Sequence, residues 1–199
     1  MAKLRIIAGR FGSRLINADV GQATHPMGDR VRSALFARLL SHRSIDGAKV
    51  LDAFAGTGAL GLEALSRGAG SVTFVERDKV ALRVLRGNIK LLSVSEQVTV
   101  VSTSVKTWLD TKDQSDLYDI VLADPPYNYP QPDTVSRLVE TLQPGGLMIL
   151  SYPGRLRVPY QPIGVVVVDD FRSYGEATLA VFFISSVAVL SIAIVGVYQ

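Results

Sequence analysis

From Lys49 to Leu150, short apolar runs alternate with stretches of helical apolar spacing, and no other feature restricts the fold as much. Lys49–Ala55 (KVLDAFA) and Ser71–Glu76 (SVTFVE) read as buried strands that end in polar or small residues. Ala59–Arg67 and Asp78–Leu92 have helical spacing, the second with Val80, Leu82, Val84, Leu85, Ile89 and Leu92 as its apolar stripe. Gln97–Val101 and Tyr118–Ala123 read as a third and a fourth strand. Asp133 is placed to N-cap a helix running to about Leu142, stopped by Pro144-Gly145-Gly146, and Leu147–Leu150 is a fifth strand. Such alternation predicts a parallel sheet with helices on both faces. Ile163–Asp169 and Ala177–Ile184 are also strand-like, but Asp170–Glu176 between them is too short for a crossover helix. Those two must run antiparallel. The expected fold is α/β: a doubly wound, mostly parallel, seven-stranded sheet closed by an antiparallel C-terminal hairpin.

Leu51-Asp52-Ala53-Phe54-Ala55-Gly56-Thr57-Gly58-Ala59-Leu60-Gly61 sets glycines at a strand-to-helix turn, where backbone must bend tightly and approach a ligand. The spacing Gly56-x-Gly58-x-x-Gly61 matches a dinucleotide fingerprint, and Glu76, twenty residues after Gly56, is placed to receive ribose hydroxyls. The loop alone leaves two cofactors open: NAD, whose pyrophosphate uses the helix N-terminus, and S-adenosylmethionine, which has no phosphate. Glycines that only permit close helix packing are the bland alternative.

Asp124-Pro125-Pro126-Tyr127 directly follows the fourth strand. The prolines lack backbone donors and stiffen the turn, leaving carbonyls free to accept. The Asp124 carboxylate is a further acceptor, and Tyr127 offers a flat face for stacking. That set suits an exocyclic amine on a purine, whose lone pair is delocalised into the ring. Asp124 and the Pro125 carbonyl would accept both amine hydrogens while Tyr127 fixes the base, so that most of the rate comes from orientation and electrostatics. An NAD enzyme has no evident use for this tetrapeptide.

Charge divides unevenly. Residues 1–50 carry nine Lys/Arg against three acids, a net +6, whereas the rest of the chain is net −3. A basic N-terminal arm for a polyanion, attached to a nearly neutral catalytic body, is the reading that follows. There is no cysteine, so disulfides, thiolate metal sites and a cysteine nucleophile are excluded; no metal is expected, and a reducing cytoplasm is the default location. The opening Met-Ala-Lys-Leu-Arg-Ile-Ile shows no signal-peptide core. Ala177–Tyr198 is free of charge and long enough to span a bilayer. Using all of it would dismantle the last strand, so a membrane anchor is disfavoured and 185–199 is an apolar extension of unassigned role.

The sequence resembles the RsmD-type methyltransferases, which modify the N2 amino group of a guanine in small-subunit (16S) ribosomal RNA. The resemblance runs from residue 3 to about 182. It rests on Arg5-Ile6-Ile7-Ala8-Gly9, Asp29-Arg30-Val31-Arg32-Ser33-Ala34-Leu35-Phe36, Leu51–Ala69, Phe74-Val75-Glu76-Arg77-Asp78, Asp124–Tyr127 and Tyr174-Gly175-Glu176-Ala177-Thr178. It implies a class I, Rossmann-like methyltransferase that uses S-adenosyl-L-methionine. By the same resemblance Asp52, Phe54, Gly56, Gly58, Glu76, Arg77 and Ser104 would contact the cofactor, Glu76 through the ribose and Ser104 near the adenine. Asp124, Pro125, Pro126 and Tyr127 would be catalytic. Arg5, Arg10, Arg14, Arg30 and Arg32 would meet RNA phosphates, with Arg32 alternatively bracing the active-site loop. Three features depart from the family pattern: His25-Pro26-Met27 stands where Arg-Pro-Thr is usual, Ser104 stands where an acid is common, and the tail runs on where the family normally ends shortly after the last strand. The expected organisation is a basic arm and helix over 1–45, the methyltransferase domain over 46–184 and the extension over 185–199. The expected partner is ribosomal RNA, within a small-subunit assembly particle or free, and the expected state is a monomer. A DNA adenine-N6 methyltransferase is one alternative, but no spare segment could serve as its target-recognition region. A non-catalytic RNA-binding protein that keeps the fold is the other.

Overall fold

The computed structural model describes residues 2–18, 27–129, 131–154, 165–174 and 177–184, with backbone alone for 165–171 and 184. A small antiparallel hairpin, β1 (Lys3–Arg5) and β2 (Leu15–Asn17), precedes helix α1 (Asp29–His42). Then follow β3 (Lys49–Asp52), α2 (Ala59–Ser66), β4 (Ser71–Glu76), α3 (Lys79–Leu92), β5 (Val98–Ser102), α4 (Val105–Thr111), β6 (Tyr118–Ala123), α5 (Pro132–Arg137), β7 (Leu142–Pro153), β8 (Val165–Tyr174) and β9 (Ala177–Ile184). The sheet order is β5-β4-β3-β6-β7-β9-β8, parallel through β7 and antiparallel at β9 and β8. The expected seven-stranded α/β sheet is the one observed.

Strand residues alternate strictly between two apolar layers, as period-two geometry requires. Val50, Ile120, Leu122, Leu147, Ile149, Leu179 and Val181 face α1, α2 and α3. Leu51, Val121, Ala123, Met148, Leu150, Ala180 and Phe182 face α4 and α5. Strand order reverses between β3 and β6, so a crevice opens beyond their carboxyl ends, where ligands bind in sheets of this kind.

Three boundaries differ from the sequence reading. The helix expected to start at Asp133 and reach Leu142 is α5 from Pro132 to Arg137 followed by a 3-10 turn, Leu138–Thr141. Its N-cap is Gln131 in a left-handed conformation with Pro132 at the first helical position, so Asp133 caps nothing. Pro144-Gly145-Gly146 does not end a helix but lies inside β7, where pairing jumps from Tyr118↔Leu142 to Ile120↔Leu147. A bulge uses the same residue types as a helix stop. At the other end, β8 continues through the expected link to Tyr174, with a register shift between Val168 and Arg172.

The N-terminal hairpin shares the core of the large sheet rather than standing apart: Leu4, Ile6 and Ile16 belong to the layer that holds α1, α2 and α3. Residues 185–199 and His25-Pro26 lie outside the described residues. Among the described residues no helix is long and apolar enough to cross a membrane, and none form a candidate metal cluster.

Candidate active site

The crevice at the β3–β6 reversal is walled by the loop after β3, the end of β4 and the turn after β6. Asp52 ends β3 with its carboxylate fully buried, and its Oδ2 accepts the Gly61 N–H at 2.8 Å, tying the strand to the first turn of α2. At the end of β4, Glu76 Oε2 accepts the Gly56 N–H at 2.7 Å, while Oε1 accepts the N–H groups of Arg77 (2.8 Å) and Asp78 (2.7 Å). Glu76 Oε1 is thereby fully used by backbone N–H groups, whereas Oε2 keeps a second lone pair for a ligand hydroxyl.

The glycines divide between two tasks. Gly56 has nothing within 4 Å of the position a Cβ would take, so its backbone borders open space. Gly58 caps α2 at φ +84, and a Cβ there would come within 2.4 Å of Leu85 Cδ1; its N–H is committed to Ala55 O at 2.7 Å. A Cβ on Gly61 would meet the Phe74 ring at 2.3 Å. Packing of α2 on β4 and α3 therefore explains Gly58 and Gly61, and Gly58 as placed has no free amide for a cofactor. Phe54 is partly buried beside the α4 layer, and Arg77 is exposed, giving Glu76 its backbone N–H.

Asp124 follows β6 and is partly buried, with Pro125 buried beside it. Pro126 closes the turn by accepting the Tyr129 N–H at 2.9 Å, which leaves Pro125 as the proline whose carbonyl can serve a ligand. Tyr127, 38% exposed, shares a 2.7 Å hydrogen bond between its hydroxyl and Ser151 Oγ. Ser151 is buried on β7, one residue past the Ala123↔Leu150 pair, so it stands beside Asp124. Burial pushes the Asp124 carboxyl up to about 6, and the Ser151 hydroxyl opposes that rise.

Asp124 and Glu76 lie close enough to Asp52 to repel its charge. Burial, with repulsion from Asp124 and Glu76, pushes the Asp52 carboxyl up to about 7 against the pull of the Gly61 N–H. A ligand carrying positive charge relieves this strain, and one carrying phosphate worsens it. Because the folded value lies above the ordinary 3.8, the stability that Asp52 contributes is full below about pH 4 and is lost as pH rises through about 7. Asp52→Asn, which can still accept from Gly61, is expected to raise the stability of the ligand-free protein at pH 8 by as much as about 4 kcal/mol. Thermal melts at pH 5 and pH 8 check this; a variant no more stable than the parent at pH 8 would refute it.

Two further residues of the expected site have structural roles of their own. Ser104 is the N-cap of α4: its hydroxyl accepts the Thr107 N–H at 3.1 Å and contacts Thr107 Oγ1 at 2.9 Å, so its first role is to start a helix. Arg32 is 1% exposed and donates to Arg5 O at 2.5 Å and Asp29 Oδ1 at 2.9 Å. It braces the arm from within and, as placed, does not reach a phosphate. Burial also lowers its pKa, with Asp29 opposing. Arg5, Arg10, Arg14 and Arg30 are exposed. Arg10 and Arg14 both lie over the Phe11 ring, at 4.6 and 5.6 Å.

Three buried polar side chains not singled out in the sequence hold the site and the arm together. Ser151 is one. Glu63, fully buried on α2, accepts the N–H groups of Ile7 (2.7 Å) and Ala8 (3.1 Å) and pairs with Arg67 Nε at 2.7 Å. Asn88, fully buried on α3, exchanges two hydrogen bonds with the Asn17 backbone and donates to Thr57 O at 3.0 Å, joining the hairpin to the glycine loop. For Glu63 and Asn88 the available signal was a charged or amide residue inside an apolar helical stripe.

The family model described as conserved hypothetical protein 95 matches residues 4–183. A Haemophilus influenzae relative named ribosomal RNA small subunit methyltransferase D is 38% identical over 64% of this chain and 65% of its own length. Its Escherichia coli namesake is 37% identical over 63% of this chain and 61% of its own length. The match thus spans just under two thirds of each relative. Among solved structures, the Escherichia coli protein yhhF superposes with a TM-score of 0.80 at 28% identity, covering 93% of this chain and 99% of that one. A hypothetical protein from Thermus thermophilus gives 0.75 at 29% identity, covering 89% and 98%.

Proposed function

We propose, on the premise that this chain belongs to the conserved hypothetical protein 95 family of RsmD-type methyltransferases, that it methylates the N2 amino group of a guanine in small-subunit ribosomal RNA, with S-adenosylmethionine as methyl donor. The observation that carries the reading is the placement of Asp124, Pro125 and Tyr127 at the end of β6, across the crevice from Glu76 and the open backbone of Gly56.

The residues fit that cofactor by donor chemistry. S-adenosylmethionine is a net cation, and a cation relieves the repulsion that buried Asp52 feels from Asp124 and Glu76. Glu76 would hold the ribose hydroxyls, and the backbone at Gly56 would border the methionine portion. NAD, with two phosphate charges, suits the cluster poorly. When bound, S-adenosylmethionine supplies an electrophilic methyl group on sulfonium sulfur.

The chain's own residues do the rest. Asp124 and the Pro125 carbonyl accept the two amine hydrogens, which favours a nitrogen with its lone pair available for the methyl carbon. Tyr127 lies beside the base, its ring position fixed by the 2.7 Å bond to Ser151. Once methylated, the amine nitrogen would be acidic and would have to shed a proton. Asp124, with its carboxyl pushed up to about 6, is suited to receive it. Orientation and electrostatic placement provide most of the acceleration.

The protein is proposed to act in the cytoplasm as a monomer on rRNA, free or within an assembling small subunit. Transfer of a radiolabelled methyl group should be measured on naked small-subunit rRNA, on small-subunit particles and on DNA, with the product nucleoside identified by mass spectrometry. N2-methylguanosine from rRNA or particles is expected. Label in DNA adenine would replace the reading with a DNA methyltransferase, and binding of both ligands without transfer would replace it with a non-catalytic RNA-binding protein.

A further inference from the structure

Helix α3 carries Lys79, Arg83, Arg86 and Lys90 and no acidic residue. Their spacings of four, three and four place one cation on each turn of a single face, about 5.4 Å apart along the axis. All four are exposed, and among the described residues none is in an ion pair; Arg86 donates to Ser102 Oγ at 2.8 Å. Like charges at these spacings destabilise a helix, and an ordinary solvated face would intersperse glutamates. The opposite face of α3, through Leu82, Leu85 and Ile89, is fully used in the core, so the charged face is the one the fold leaves outward.

Two independent features make this face a groove rather than a scatter of charge. A shallow, open depression of about 680 Å³ runs along it, lined by the four cations, Leu82, Gly87 and Ser102. Gly87 sits mid-helix, where glycine costs stability, yet a Cβ there would touch nothing within 4 Å. Among the described residues no contact accounts for the missing side chain, whereas close approach of a ligand does. The groove also connects the two ends of the molecule that matter. At its upper end Ser102 pairs with Glu76 across β4 and β5, beside the proposed ribose site. At its lower end Arg14 of the N-terminal hairpin donates to Leu91 O at 3.1 Å, at the carboxyl end of α3.

We infer that the outer face of α3 is a phosphate track for the RNA substrate, continuous with the exposed arginines of the hairpin and leading to the cofactor crevice. The identity of the polyanion rests on the reading of an RNA methyltransferase; the track itself rests on α3. It places substrate docking on a helix of the catalytic body as well as on the arm.

Arg83→Glu/Arg86→Glu/Lys90→Glu, on exposed positions, is the first test. Binding of deproteinised small-subunit rRNA by fluorescence anisotropy should weaken at least tenfold at 0.1 M salt. The slope of log Kd against log salt should fall by about 2 to 3 units, as expected for three lost phosphate contacts. KM for RNA should rise while cofactor Kd stays at the parent value, and Arg83→Lys/Arg86→Lys should retain binding. Gly87→Gln is the second test: it fills the groove without changing charge, and should weaken RNA binding several-fold with no fall in Tm. Parent-like RNA affinity and salt slope in the triple variant would overturn the inference, as would a triple variant that loses binding to anionic phospholipid vesicles but not to RNA. If the parent protein transfers no methyl group to RNA yet binds it through α3 with the stated slope, the functional reading fails and the track stands.

Discussion

Asp124→Ala is expected to lower kcat for methyl transfer by about 10³-fold or more, a loss typical of removing a placed electrostatic partner from a buried reacting centre. Cofactor binding should change far less, because Glu76 at the end of β4 and the Gly56 loop after β3 are joined to each other and Asp52 remains, so that only one of the three nearby acids is lost. Asp124→Asn separates the two roles assigned to the carboxylate. The amide oxygen can still accept one amine hydrogen, but it carries no charge and takes no proton, so an intermediate loss is expected. The pH profile gives the sharper reading. In the parent, kcat/KM should fall as pH drops through about 6, since protonation turns an acceptor into a donor facing an N–H. The Asn variant should lack that limb. An Asp124→Ala protein with parent-like turnover would sink the mechanism.

Ser151 gives that experiment a companion within the same network. Its hydroxyl meets the Tyr127 hydroxyl and moderates Asp124, so Ser151→Ala changes both partners without touching either. The site is thus a β6–β7 device, not a tetrapeptide acting alone. Residue 151 was silent in the sequence because its meaning comes from register: only the Ala123↔Leu150 pairing shows that the next position on each strand must be neighbours.

The same contrast explains what was legible elsewhere. The glycine loop, Glu76 and Asp124–Tyr127 could be read because each is a local pattern at a strand end, and the parallel sheet then assembles those ends. Where one residue type serves two structures, local reading failed. Pro144-Gly145-Gly146 stops helices and also makes bulges, and pairing with β6 selected the bulge. Gly58 reads locally as a ligand glycine, and its second reason for being glycine, the close approach of Leu85 twenty-seven residues on, shows only in the fold. Arg32 looked like a phosphate contact because arginine is usually exposed; its burial against Arg5 and Asp29 depends on how α1 meets β1. The track on α3 was hidden for the converse reason: its cations were counted in a nearly neutral half of the chain, and only the helix gathers them on one face.

Glu63 poses the clearest stability question, because one carboxylate fastens the basic arm to the catalytic body. It sits in ALGLEALS, fully buried, and satisfies two arm N–H groups fifty-five and fifty-six residues away together with Arg67. The arm can approach so closely only because residue 9 is glycine at φ +81, where a Cβ would lie 1.8 Å from Ser66 O. Glu63→Ala leaves Ile7 and Ala8 N–H groups and the largely buried Arg67 guanidinium without this acceptor. Breaking a buried charged network of this kind costs about 3 to 5 kcal/mol. For a chain of this size that corresponds to a Tm fall of roughly 10 °C. Glu63→Gln should cost less, since it retains one acceptor oxygen, but it introduces an N–H donor facing other donors. Amide exchange at Ile7 and Ala8 should accelerate in both variants more than exchange in β3 or β6. If the folded fraction is isolated at low temperature, cofactor affinity should persist while RNA affinity falls, because the hairpin that carries Arg5, Arg10 and Arg14 is no longer held against α2 and α3. A Glu63→Ala protein within about 1 kcal/mol of the parent, with unchanged exchange at residues 7 and 8, would show that the arm is held mainly by Ile6, Ile16 and the Asn17–Asn88 exchange.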